Sequence, residues 1–496
     1  MVSMTEPHAR GADLPRRIHL LGIGGAGVSG AARILHASGH GVSGHDRAQG
    51  RTLPALEELG IPLAVGPSRA EDLPADAELV VRSAAVPDDD PQVAAARARG
   101  VPVWKYADFL GRLSALRRTL CVAGTHGKTS TSWMLWHALE GIGALLQTPV
   151  PGALVGGVDR RLATGALAGS PEGWFALEAC EYDRTFLKLA PFAAAITNVE
   201  GDHLDYYGTL TAIEEAFARF ADRVHEGGLL VVGREVPERV EHAARAPVWR
   251  LGRELAVDLL GEREGRFRFR LRGPGWATPE IALHVPGSFQ VENAALALAL
   301  SVGASQRTPA GREADPAALA AAAAEGVGRF LGVGRRFEPW GEAAGVSVVH
   351  DYAHHPTEVR VTLEAARRAF PGRRIHVLFQ PHQHSRTARF LDDFVDSLRS
   401  ADRVVVADVY GARAHIDGPR TAGAPELVDG LKSIHVRAAH GGPLGSAVQR
   451  LVEGLEEPGE TPACALVLGA GDVEHVQDEL LGKLALRGAP GSRARS

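Results

Sequence analysis

Read for hydrophobic period, the chain restarts three times. Residues 18–23 (IHLLGI) form a short apolar run that enters GIGGAGVSG, AARILHASGH then carries apolar side chains at helical spacing, and GVSGHD resumes an extended run. A continuous apolar run that changes to a 3.6-residue period across glycines predicts strand, turn and helix, so the chain opens as a βαβ unit. LAVG, ELVVRSAAVP and VPVWKYADFL continue the alternation as far as GRLSALRR, which predicts a first domain over residues 1–115. A second domain is predicted over 116–337: the strand TLCVAG runs into GTHGKTSTSWMLWHALEGIG with helical period, and WFALEA, FAAAITNVE and GGLLVVG follow as further strands. Within it RFRFRLRG alternates with period two, the pattern of a half-buried antiparallel hairpin. After GVGRRFEPW the segments SVVHDY, TEVRVTLEAARRAF, RIHVLFQPH, ADRVVVADVY and CALVLGAGD alternate strand with helix, giving a third, doubly wound domain over 338–496. The expected class is α/β in three domains.

Near the end of the second domain, TPAGREADPAALAAAAAEGVG holds an alanine run of high helix propensity, expected as a peripheral helix with no chemistry. The small, basic tail RGAPGSRARS is expected to fray. No stretch approaches 18 uninterrupted apolar residues, and MVSMTEPHARGADLPRR lacks the apolar centre of an export signal, so neither membrane insertion nor export is expected. The 496 residues carry 54 Lys and Arg against 59 Asp and Glu, a net charge of −5, so no positive field recruits nucleic acid and small-molecule ligands are expected. Three cysteines without CxxC spacing suit a reducing compartment, and a cytoplasmic protein is expected. Cys121 and Cys180 read as small core residues beside apolar strands.

Two glycine turns carry the candidate chemistry. Gly22, Gly24 and Gly27 fit G-x-G-x-x-G between a strand and a helix, with Asp46 ending the next strand. Such glycines let the backbone approach a phosphate at a helix N-terminus, where unpaired N–H groups favour an anion. Alone, this turn fits a nicotinamide dehydrogenase. The second turn, Gly124, Thr125, His126, Gly127, Lys128 and Thr129, reads G-T-H-G-K-T between strand and helix, a shortened P-loop. N–H groups surround the phosphates, Lys128 supplies charge and Thr129 can ligate Mg²⁺, so ATP or GTP is expected. A dehydrogenase leaves this second turn without a purpose; a protein that binds ATP without turning it over is the other class to separate. Glu178, Glu181 and Asp183 after one apolar run, and Asp202, His203 and Asp205 after another, are the candidate metal-holding acids at strand ends. His354, His355, His382 and His384 lack the thiolates or HExxH spacing of a zinc site and read as polar ligand contacts.

With GIGGAGVSG, RSAAVP, AGTHGKTST, LEACEYDRTFL, TNVEGDHLDYYG, PGSFQVENAALA, GVGRRFE, DYAHHPTEV, FQPHQHSRT, ADVYGARA and LGAGD in this order, the sequence resembles the Mur ligase family over nearly the whole chain. The resemblance implies an N-terminal Rossmann-like domain for a UDP-sugar, a central P-loop ATPase domain with a mixed or parallel sheet, and a C-terminal Rossmann-like domain. It implies ATP-driven joining of L-alanine to UDP-N-acetylmuramate through an acyl phosphate, in peptidoglycan precursor synthesis, by a monomer or homodimer. By carry-over, Gly24, Gly25, Ala26, Gly27, Asp46 and Ser83 bind the UDP-sugar. Gly124 to Ser130 (Gly124, Thr125, His126, Gly127, Lys128, Thr129, Ser130) cradle ATP, Asn293 contacts adenine, and Arg336 and Asp351 reach the nucleotide. Thr129 and Glu178 hold one Mg²⁺ and His203 a second; Tyr352, His382 and Arg386 meet the amino acid and the reacting carboxylate. Lys128, His203 and Arg386 are the implied catalytic set.

The chain departs from the family pattern in places. Phe289-Gln290 stands where His-Asn is usual, and Gln383 where arginine is usual after His382. Cys180 and Tyr182 stand where aspartate and serine are common. A tyrosine at that place also occurs in related ligases that attach a preformed tripeptide to UDP-N-acetylmuramate, so tripeptide recycling is the alternative activity, although the later motif of those ligases does not resemble FQPHQHSRT.

Overall fold

A computed structural model describes residues 14–411, 422–455 and 463–488. Most of MVSMTEPHARGADLPRR, the end of ADVYGARA and nearly all of the tail RGAPGSRARS lie outside the described residues. Two compact units divide the chain, one comprising Met1–Asp258, Arg270–Ile281 and Glu292–Phe330, the other Leu259–Phe269, Ala282–Val291 and Leu331–Ser496.

In the first unit, the apolar run before GIGGAGVSG becomes the strand Arg17–Leu21 at the centre of a five-stranded sheet. From one edge the order is Leu63–Val65, Gly41–Asp46, Arg17–Leu21, Leu79–Arg82 and Val103–Lys105, all parallel. Strand order reverses on either side of Arg17–Leu21, so the loop that follows it sits at a topological switch point, where open parallel sheets bind ligands. A second, seven-stranded sheet runs Val248–Arg250, Leu230–Val232, Ala193–Ile196, Arg118–Ala123, Trp174–Glu178, Gly152–Asp159 and Thr164–Leu167. Only the last pair is antiparallel, which gives the expected mixed but mainly parallel sheet. One apolar core runs through both sheets and includes Leu110, Leu113, Phe186 and Leu189.

The helix after the P-loop, Lys128–Leu146, is buried on nearly every side, which is why its sequence is apolar all round and shows no clear stripe. Trp133 and Trp136 donate their indole N–H groups to Gly157 O at 2.7 Å and Pro151 O at 2.9 Å, tying the helix to the strand beside it. The alanine run forms the helix Pro316–Gly328, N-capped by Asp315, which accepts from Ala317 N at 3.0 Å. The expectation of a peripheral helix is corrected here. Gly141 lies against the Ala322 carbonyl and Gly326 against that of His137, so small residues let this helix press directly on the back of the P-loop helix. RFRFRLRG forms the strand Arg266–Gly273 with strictly alternating burial and pairs antiparallel with Trp276–Ala277, as its period predicts.

The second unit contains a six-stranded sheet in the order Glu338–Ala343, Val346–Asp351, Ala463–Leu468, Arg374–Phe379, Arg403–Ala407 and Arg437–Gly442. The first pair is an antiparallel hairpin and the rest are parallel. Its central strands are continuous apolar runs because both faces are covered, one by a core with Val359, Leu363 and Phe394, the other by a core with Val448, Leu451 and Leu480.

Candidate active site

The P-loop leaves the strand Arg118–Ala123 and ends on Gly127, whose φ of +81° is disfavoured for any residue with a Cβ. The loop is braced by the segment after the neighbouring strand Ala193–Ile196: Thr125 N donates to Asn198 O at 3.1 Å, His126 N to Asn198 Oδ1 at 2.8 Å, and Thr197 Oγ1 to His126 O at 2.6 Å. With the turn fixed, the helix that begins at Lys128 presents its first N–H groups, which have no carbonyl behind them, to whatever occupies the loop. Lys128 Nζ folds over the same turn and donates to Gly124 O at 2.7 Å and Thr125 O at 2.9 Å. It also stands 3.0 Å from the buried Glu181 carboxylate. Burial works against the ammonium charge, but the fields of Glu181, Cys180 and Glu178 outweigh it and raise the lysine above its ordinary range. The cation is therefore charged at neutral pH.

Glu178 ends the strand Trp174–Glu178, next to the P-loop strand. It accepts from Thr129 Oγ1 at 3.2 Å and from Gly156 N at 2.9 Å. A hydroxyl and a carboxylate beside a phosphate-sized turn are hard oxygen donors of the kind Mg²⁺ takes, so these residues fit such an ion. His203 shares Glu181 with Lys128: its Nε2 is 4.0 Å from Glu181 Oε1 and 3.8 Å from Asp202 Oδ2, and its ring packs edge-on to Tyr182. Its φ of +52°, with Asp183 at +52° and Arg184 at +53°, concentrates left-handed non-glycine backbone around the P-loop. Asn293 also comes to this place, because its Oδ1 covers the Cα of Gly127. Ser130 is buried in the first helical turn.

The first glycine turn stands at the switch point of the five-stranded sheet. Gly24 N donates to Asp46 Oδ2 at 2.8 Å and Thr52 Oγ1 to Gly24 O at 2.7 Å, so Asp46 staples the turn. Ser83, whose N donates to Leu21 O at 2.9 Å, packs its Cβ against Gly22 from the next strand. Gly25, Ala26 and Gly27 lead into the helix Ala26–Ala37.

In the second unit, Asp351 ends its strand buried, accepting from Phe337 N and Ala353 N at 2.8 Å each. Burial pushes its carboxyl up to about 6 in spite of Arg336 nearby. Arg336 lies 5.3 Å over the Tyr352 ring and 3.4 Å from Glu358. Rings then follow one another from Tyr352 to His354 at 5.3 Å, to His382 at 5.7 Å and to Tyr410 at 5.7 Å. Arg386 is buried in the short helix His384–Arg389, which begins after Gln383 at φ +67°. Phe289, one of the family departures, packs on the apolar core of this unit, and Gln290 is buried.

Thus the structure gathers Lys128, Thr129, Glu178, His203 and Asn293 around one turn, Gly24, Gly27, Asp46 and Ser83 around another, and Arg336, Asp351, Tyr352 and His382 in the second unit. Sequence reasoning counted Glu181 among the candidate metal-holding acids; the structure makes it the partner of Lys128. That reasoning missed Asn198, for which the signal is an asparagine just past an apolar strand. Cys121 is buried as expected, whereas Cys180 is exposed, because the apolar strand ends at Glu178 and the chain turns outward.

Three family models match the chain in order: "Mur ligase family, catalytic domain" over residues 17–118, "Mur ligase middle domain" over 122–301 and "Mur ligase, glutamate ligase domain" over 335–471. A protein of Saccharopolyspora erythraea named UDP-N-acetylmuramate–L-alanine ligase is 40% identical, covering 95% of this chain and 94% of its own. One of the same name from Kineococcus radiotolerans is 43% identical over 95% and 97%. Among solved structures, the UDP-N-acetylmuramate-alanine ligase of Thermotoga maritima superposes with a TM-score of 0.73 at 28% identity, covering 94% of this chain and 98% of that one. A murein peptide ligase of Psychrobacter arcticus shares the fold, with a TM-score of 0.66 at 21% identity over 95% and 99%.

Proposed function

The chain belongs to the Mur ligase family, and from that premise we propose that it uses ATP to join L-alanine to the lactyl carboxylate of UDP-N-acetylmuramate. Identity to alanine-adding relatives over nearly the full length of both chains favours this reaction over tripeptide attachment. The observation that carries the reading is the charged Lys128, poised by Glu181 over a P-loop whose Thr129 is bonded to Glu178.

Joining a carboxylate to an amine in water is unfavourable, because the carboxylate is a poor electrophile. The lactyl carboxylate attacks the γ-phosphorus of ATP, ADP leaves, and the resulting acyl phosphate is opened by the amino group of L-alanine with release of inorganic phosphate. The P-loop N–H groups and Lys128 meet the negative charge spread over the transferring oxygens, and most of the acceleration comes from this fixed electrostatic field and from alignment. Thr129 and Glu178 would hold Mg²⁺, which when bound supplies further charge neutralisation at the phosphates. His203 sits on the acid-rich side of Lys128, suited to a second metal or to the developing oxyanion. The turn at Gly24 to Gly27, with Asp46 and Ser83, takes the UDP diphosphate. Asn293, Arg336 and Asp351 are assigned to the nucleotide, and Tyr352, His382 and Arg386 to the amino acid and carboxylate. No helix among the described residues is long and apolar enough to cross a membrane.

The test is phosphate release by purified protein. It is expected only when ATP, UDP-N-acetylmuramate and L-alanine are present together. Phosphate release with free tripeptide in place of L-alanine, and none with L-alanine, would give the chain to the recycling reaction instead.

A further inference from the structure

In the second unit, three motifs that lie far apart in sequence, FQPHQHSRT, ADVYGARA and LGAGD, meet at one side chain, that of Tyr410. Each begins on the last residue of a parallel strand, Arg374–Phe379, Arg403–Ala407 and Ala463–Leu468. The meeting point therefore lies at the carboxyl ends of the strands, where open parallel sheets bind ligands. Tyr410 grips the first motif by its backbone: its N–H donates to Pro381 O at 2.8 Å, and its carbonyl accepts from Gln383 N at 2.9 Å. Between those two bonds its ring lies against the imidazole of His382, with centroids 5.7 Å apart and planes 26° apart. The third motif makes room for the ring, since a Cβ on Gly471 would stand 2.6 Å from Tyr410 Cγ and 2.9 Å from its Cβ. That motif is tied in turn to the first: Gln380 Nε2 donates to Asp472 Oδ1 at 2.6 Å, and Val473 N donates to Gln380 Oε1 at 3.1 Å.

The segment held in this way is strained. Gln383 has φ +67° and ψ +134°, a backbone region that residues with a Cβ enter only where their surroundings enforce it. The enforcing bonds are on both sides of the residue. Its N–H is taken by Tyr410, and its carbonyl accepts from Thr387 N at 3.1 Å and Thr387 Oγ1 at 2.8 Å. The bend turns the chain from His382 into the helix His384–Arg389, and so decides where the buried Arg386 comes to lie. His382 is flanked by Tyr410 and by the ring of His354 at 5.7 Å, so it has little rotamer freedom left to lose when a ligand arrives.

We propose that Tyr410 is the positioning residue of the amino-acid site: its ring fixes His382, and its seat on Gly471 steadies the bend that aims Arg386. The inference rests on the assignment of L-alanine to His382 and Arg386. In this role the ring matters and the hydroxyl does not. Tyr410→Ala should raise KM for L-alanine about tenfold, the worth of one aromatic pair. KM for ATP and for UDP-N-acetylmuramate should stay within about twofold of wild type, a split that general loosening of the domain would not give. Tyr410→Phe should bring KM for L-alanine back to within about twofold of wild type. Should Tyr410→Ala fail to fold, Tyr410→Leu, which keeps apolar bulk without a ring, carries the same expectation. Gly471→Ala, which drives a methyl into the Tyr410 side chain, should also raise KM for L-alanine. An alanine or leucine variant with wild-type KM for L-alanine, a rise shared by all three substrates, or a phenylalanine variant as impaired as the alanine one would overturn the proposal while leaving the reaction assigned above intact. Wild-type protein that uses no L-alanine would overturn both.

Discussion

Twice in its first unit the chain leaves a parallel strand through glycines into a helix, at residues 22–27 and at 124–128, and the two turns are furnished differently. Beside the first stands Asp46, its carboxylate committed to the backbone N–H of Gly24. The second brings a charged lysine paired with Glu181, a hydroxyl bonded to a carboxylate, and a histidine with left-handed backbone within one small space. Glycine, strand and helix make an anion cradle in both cases. Only the second has the charges to move a phosphoryl group, so on the proposed reading the first turn holds the UDP diphosphate and the second passes on the γ-phosphoryl group of ATP. The shared geometry is a property of the fold; the chemistry comes from the side chains that neighbouring strands deliver to it.

Three substitutions sharpen that contrast. The largest effect is expected from Lys128→Ala, which should lower kcat by about 10³-fold, roughly 4 kcal/mol of transition-state stabilisation. It should leave Kd for UDP-N-acetylmuramate unchanged in calorimetry, since the lysine serves the other turn.

Next comes acid sensitivity of the strand leading to the first turn. His19, on Arg17–Leu21, is buried with Ser43 2.8 Å and Gln92 2.9 Å from its ring nitrogens. Burial above all lowers its pKa from 6.5 to about 4. The folded protein thus refuses a proton that the unfolded chain accepts, and the stability present above pH 6.5 drains away as pH falls toward 4. The loss approaches about 3 kcal/mol. His19→Gln, followed by urea unfolding at several pH values, should flatten that decline; an unchanged slope would remove the histidine from the account.

The smallest effect belongs to Asp46→Ala. Losing the staple on Gly24 should raise KM for UDP-N-acetylmuramate about tenfold, the worth of one covered hydrogen bond to a charged acceptor, with KM for ATP unmoved. A matching rise in KM for ATP would blur the division between the two turns.

Much of this was legible in the residues. Strand and helix periods located both glycine turns, and strict alternation in RFRFRLRG gave its antiparallel pairing, because a period of two survives in any half-buried strand. The alanine run misled: its uniformly small, apolar residues show no face, so nothing in their pattern reveals that Gly326 and Ala322 seat against the P-loop helix. Cys180 misled for a related reason, since two residues past the end of an apolar strand are enough to pass from core to solvent. The packing of Tyr106, inside VPVWKYADFL, over Gly27 was hidden as well, since the two lie 79 positions apart in sequence. Long-range pairs of that kind, like Lys128 with Glu181, carry no local period to read.

The central claim is that the lactyl carboxylate itself takes the phosphoryl group held at the P-loop. UDP-N-acetylmuramate labelled with ¹⁸O in both carboxylate oxygens, turned over with ATP and L-alanine, tests it by mass spectrometry of the released phosphate. One ¹⁸O per phosphate is expected, because the oxygen that attacked phosphorus leaves with it. Phosphate free of label, with the amide product formed, would contradict the account.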